Sequence, residues 1–169
     1  MKLRNTVLLA LMGIALNVRA AQADDPGSQT AQKSRCDADI QATTYQAILS
    51  RDQAPRNRYM AELSAANPEH RQERLDQIAQ EVLQADSENQ SHLDDMVAAC
   101  GWPSSRVFAD SNLEAAFLTV QHAPLPFQLK YQARLRHSYE TGQIPAHVYV
   151  LFEKRVKERQ GGGQTMSSK

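Results

Sequence analysis

Apolar residues recur every three or four positions along most of this chain, and no stretch alternates with the period of two that marks a strand. Ser34 is placed to cap a first helix, with Asp37 three residues on, and Cys36, Ile40, Thr44, Ala47 and Ile48 then share one stripe. Pro55 is expected to break or restart that helix, because it lacks an N–H and crowds the preceding turn. A short second helix carries Tyr59, Met60 and Leu63. Asn67-Pro68 reads as a cap followed by a first helical proline. From there Leu75, Ile78, Ala79, Val82, Leu83, Leu93, Met96, Val97 and Cys100 continue the period, as one long helix or as two with a break near Asp86. Gly101 closes this segment, and Trp102-Pro103 makes a turn. Ser111 with Glu114 forms a capping box ahead of Leu113, Ala116, Phe117 and Val120. Ala123-Pro124-Leu125-Pro126 ends that helix and starts the next, whose stripe is Phe127, Tyr131, Leu135 and Tyr139 up to Gly142. Pro145 opens a last helix with Val148, Leu151, Phe152 and Val156. The pattern predicts an all-α fold, a compact bundle of five to seven helices over residues 34–159.

The two ends read differently. Lys2 and Arg4 precede the apolar run from Thr6 to Val18, and Ala21-Gln22-Ala23 fits a small-x-small cleavage site. Residues 1–23 are therefore expected to be a cleaved signal peptide, with Ala20 as a second possible cleavage point. Residues 24–33 form a polar, disordered linker in this reading, and the Gly-rich residues 160–169 a flexible tail. The mature chain is expected in the periplasm or outside the cell, with no stable membrane insertion once the signal is removed.

Export changes the charge. The 169 residues carry 19 bases and 19 acids. The signal takes away Lys2, Arg4 and Arg19 and no acid, leaving 16 against 19, a net of about −3. Phosphate backbones call for a basic excess, so nucleic acid is not an expected partner. Export also changes the reading of the only two cysteines. In an oxidising compartment Cys36 and Cys100 are expected to form a disulfide, the alternative being two free buried thiols. Their spacing fits neither a zinc site nor a redox motif, and Cys100 could be a nucleophile only if unbridged. No metal and no cofactor is expected. The charge run from Glu69 to Glu81 reads as a solvated helix face.

Phosphate loops, nucleophile elbows and His-Glu-x-x-His zinc motifs do not occur. What remains is a set of polar residues on apolar stripes. Asp52, Gln53 and Arg56 close the first helix. Asp86 and Asn89 share the face of Leu93, Met96 and Cys100, where an unpaired carboxylate or amide would be costly. Gln121 and His122 end one helix, and Gln128 and Arg155 edge the last two stripes. These groups could be a packing network, with Arg56 or Arg155 paired to Asp86. They could instead be a binding site, or a cleft in which His122 is a general acid or base with Asp52 or Asp86 nearby.

Asp52-Gln53-x-x-Arg56, Asp86-x-x-Asn89, Gly101-Trp102-Pro103, Gln121-His122-Ala123 and Gln128, in this order, resemble an uncharacterised bacterial family, domain of unknown function 6624. The likeness spans roughly residues 45–164 and adds Trp102 to the candidate positions. Cys100, Lys154 and the segment from Thr165 to Lys169 depart from its pattern. The resemblance implies a shared fold and shared positions and carries no activity. From the sequence, a binding or interaction role leads, for example an inhibitor or immunity partner of an envelope-acting or secreted enzyme, with a periplasmic protein as partner. An enzyme acting on an envelope or small-molecule substrate through His122 is the alternative, and an accessory structural role the third.

Overall fold

In the computed structural model, residues 36–66, 69–109 and 111–162 are described, and five helices account for most of them. They are α1 (Ala38–Ser64), α2 (Arg71–Cys100), α3 (Asn112–His122), α4 (Leu125–Glu140) and α5 (Ala146–Gly162). No strand occurs among the described residues. None of their helices is long and apolar enough to cross a membrane. The expected signal peptide and linker lie outside the described residues, as do Ser34 and the Asn67-Pro68 start signal.

The first two helices form a long antiparallel pair. Their partners run in reverse order: Cys36 with Cys100, Ile48 with Asn89, Arg56 with Asp86, Arg58 with Glu81 and Glu62 with Arg74. At 27 and 30 residues they extend for about 40 Å and 45 Å. Of the three shorter helices, α3 packs against both members of the pair, α4 packs on α3 and reaches Asp94 of α2 through Lys130 and Tyr131, and α5 packs on α4. Their shared core takes Tyr45 and Ile48 from α1 and Leu93 and Met96 from α2. From α3 to α5 it takes Leu113, Phe117, Val120, Leu135, Phe152 and Val156, among others.

Several boundaries differ from the sequence expectation. Pro55 does not break α1, which runs on to Ser64. Proline deletes one backbone hydrogen bond, a loss that burial of the Pro55 ring and pairing with α2 offset. The α1 cap is Asp37, whose carboxylate accepts from the Asp39 N–H at 3.0 Å. The second helix begins at Arg71, after a left-handed His70, and passes Asp86 without a break. At the other end α5 continues to Gly162, past the expected boundary at 159.

Two signals act as their chemistry dictates. Gly101, at φ +84°, ends α2 with its N–H on the Val97 carbonyl, in a backbone region that side chains disfavour. Ser111 Oγ accepts from the Glu114 N–H at 3.2 Å and caps α3.

Some buried faces are out of phase with the expected stripes. On α1 the buried face is Tyr45, Ile48, Asp52 and Pro55, while Ile40 and Ala47 face outward. Leu83 and Leu151, placed on apolar stripes, are 61% and 62% exposed. Tyr139 lies half-exposed, stacked on Tyr149 with ring centroids 4.5 Å apart.

The disulfide is formed. Cys36 and Cys100 join the start of α1 to the end of α2, with Cα atoms 5.3 Å apart.

Candidate functional site

Asp52 and Asp86 face each other across the α1–α2 pair, at the level where the covering helices stop. The inward face of α1 carries Tyr45, Ile48 and then Asp52 at three- and four-residue steps, so the carboxylate falls where a core residue would. The α2 face carries Met96, Leu93, Asn89 and then Asp86 in the same way. His122 is the last residue of α3, and the chain turns at Ala123-Pro124 directly after it. Its imidazole is thereby delivered to the end of the core, against α1.

His122 Nδ1 lies 2.8 Å from Asp52 Oδ1. The Asp52 side chain is 1% exposed and that of His122 16%. Asp52 Oδ2 accepts from Gln53 Nε2 at 2.6 Å. Arg56 donates to both Asp86 oxygens at 2.9 Å, and its other nitrogen lies 3.4 Å from Asp52 Oδ1. Burial pushes the Asp86 carboxyl above its usual range, and the Arg56 guanidinium pulls it part of the way back.

A carboxylate can only accept, so the proton in the His122–Asp52 contact belongs to Nδ1. In its neutral form the ring then offers Nε2 as a lone-pair acceptor. No hydrogen bond engages Nε2 among the described residues. A carboxylate orienting one ring nitrogen so that the other can take a proton is the arrangement of a general base.

One atom each from Asp52, Asp86 and His122 lies within 4.8 Å of the others, a spacing at which three side chains can share a cation. The guanidinium of Arg56 already supplies that positive charge. A metal ion would have to displace it and open the His122–Asp52 hydrogen bond. The donor set therefore suits proton handling better than metal ligation.

The other candidate positions divide. Asn89 is buried, donates to the Ile48 carbonyl at 3.1 Å and accepts from Arg51 at 2.9 Å, one turn from the cluster and tying the two long helices together. Buried Gln128 donates to the Gln121 carbonyl at 2.9 Å, and Arg155 to the same oxygen at 3.2 Å. Gln121 thus contributes its backbone to this contact. Trp102 is engaged elsewhere, with Nε1 on Ser138 Oγ at 3.1 Å and its ring stacked on Tyr131. Arg159, which sequence reasoning passed over, donates to the Ala123 carbonyl at 2.6 Å. The only signal for it was its position four residues after Arg155. An apolar groove of about 540 Å³, lined by Arg56, Tyr59, Met60, Ala79, Val82 and Leu83, leads away from the cluster along the uncovered part of the helix pair.

Fold and site together define a disulfide-closed helical bundle in which a partly exposed His meets a buried Asp at the open end of the core. No family model, curated protein or solved structure matches the chain.

Proposed function

We propose that this protein is an exported enzyme that uses His122 as a general acid–base group, oriented by Asp52, on an envelope or small-molecule substrate. The single observation that carries the reading is the 2.8 Å contact between His122 Nδ1 and a carboxylate that is itself buried. Nε2 takes a proton from a water molecule as the water attacks an electrophilic carbonyl or phosphoryl centre. The same nitrogen returns that proton to the leaving group. Gln53 and Arg56 hold Asp52 so that it stays on the ring. Asp52, Gln53, Arg56, Asp86 and His122 are also among the positions on which the proposed resemblance to domain of unknown function 6624 rests. The disulfide supports an oxidising compartment.

This order reverses the ranking drawn from the sequence, where binding led. A surface that only binds has no need of a tautomer fixed by a buried acid.

The test has two readings. Nitrogen-15 NMR of the imidazole should show the Nδ1–H tautomer in the wild type and its loss as the dominant form in Asp52→Asn. Against a panel of chromogenic esters, amides and phosphoesters, His122→Gln should lower turnover by about 10²–10⁴-fold with the fold intact. An Nε2–H tautomer in the wild type, or undiminished turnover in His122→Gln, would sink the proposal.

A further inference from the structure

Two arginines flank the backbone of His122, and no acid answers them among the described residues. Arg155 and Arg159 stand four residues apart on α5, so their side chains share a face. Arg155 reaches the carbonyl of Gln121 and Arg159 that of Ala123, the residues on either side of His122. Neither makes an ion pair among the described residues.

The acids that could neutralise them are committed elsewhere. Glu153 accepts from Tyr149 and Gln132 and lies near Arg136, while Glu158 pairs with Lys154. Asp52 and Asp86 are taken by His122, Gln53 and Arg56. Capping the α3 carbonyls uses one hydrogen bond from each guanidinium, out of five N–H donors. Arg155 is half-buried, which strengthens its pull on an anion, and Arg159 is open to solvent.

We infer that Arg155 and Arg159 form an anion-binding subsite, and that the substrate presents an oxyanion of the carboxylate or phosphate kind beside His122. The placement of this group next to the reacting centre rests on the acid–base reading; the subsite itself does not. Planar guanidinium forks match both oxyanions with paired N–H donors. Clamping a non-reacting anionic group there holds the substrate while His122 Nε2 works on a neighbouring bond. Arg155 and Arg159 are binding residues in this scheme, and His122 remains the catalytic one.

Titration of the disulfide-intact protein with inorganic phosphate, and separately with acetate, tests the subsite by NMR. Backbone amides at 121–123 and the side-chain N–H signals of Arg155 and Arg159 should shift saturably. Sodium chloride at matched ionic strength should not reproduce the shifts. Arg155→Gln/Arg159→Gln should weaken binding at least about tenfold, a change equivalent to about 1.4 kcal/mol. Arg155→Lys keeps the charge and can still cap α3, so it controls for misfolding and should fall between. Asp52→Asn removes the dyad but neither guanidinium and should leave phosphate affinity unchanged, which separates failure of the subsite from failure of the acid–base reading. A stronger response to phosphate than to acetate assigns the subsite to phosphate-bearing substrates, and the converse to carboxylates. Shifts that chloride reproduces, or binding that survives the double substitution, would overturn the inference and leave the two arginines as helix caps.

Discussion

The two halves of the α1–α2 pair are built on different physics. Between the disulfide and the Asp52–Asp86 level the helices are covered by α3, with α4 and α5 packed behind it, and bury Tyr45, Ile48, Leu93 and Met96. Past that level nothing from either helix joins the shared core. Met60, Leu63 and Leu83 stand exposed there, and the helices are tied by charge, Arg58 to Glu81 and Arg74 to Glu62. The difference teaches where a site can form. A buried carboxylate is tolerable at the seam, because the apolar half shields it and the open half lets partners and solvent reach the other end of the cluster. Deeper in the core Asp52 and Asp86 would be desolvated without access. Further out they would be ordinary surface acids.

Removing the covalent closure should produce the largest effect. Replacing both cysteines by serine frees a loop closed across 64 positions and should cost about 4 kcal/mol, read by urea denaturation of the oxidised protein and its variant. A loss below about 1 kcal/mol would mean that the covered half does not depend on its staple.

Next comes the contrast between two leucines on one helix. Leu93 is fully buried, and Leu93→Ala should destabilise by about 3 kcal/mol. Leu83→Ala, in the open half, should stay within about 0.5 kcal/mol. Equal losses at the two sites would erase the distinction between the halves.

The smallest effect is a titration. Tyr45 is 1% exposed, and burial pushes its phenol up to about 12. The unfolded chain releases that proton near pH 10 while the native protein keeps it, so stability should fall as pH rises above 10 and level off past 12. Tyr45→Phe should remove that part of the alkaline loss, seen by comparing denaturation midpoints across the range. An unchanged slope in Tyr45→Phe would show that Tyr45 is not held in the dry half.

Much of this was legible beforehand, for local reasons. Gly101, the Ser111–Glu114 box and the Pro124–Pro126 corner act through their own backbone, so their meaning survives without tertiary context. Asp52, Asp86 and Asn89 stood out because a polar residue on an apolar face needs a partner. Their partners did not stand out. Arg56 rather than Arg155 took Asp86, and Asn89 found Arg51 and the Ile48 carbonyl across the helix pair. Trp102 was singled out by a motif and proves to be packed on Tyr131. Tyr45 was missed because the helix stripe was started one position out of phase, a slip that burial corrects and composition does not. Pro55 misled because its local penalty is real but is outweighed by packing along the rest of α1.

By itself the sequence determined the helical class, the order of the elements, the Gly101 and Ser111 caps and the pair of cysteines that could meet. Each of these follows from interactions within a few residues, or from the redox chemistry of a compartment. Only the tertiary structure decided that α3 ends at the edge of the covered half, that His122 meets Asp52 there, and that two arginines from α5 close around the same turn. Those contacts join residues 34 to 70 positions apart, and such distances close only when whole helices pack.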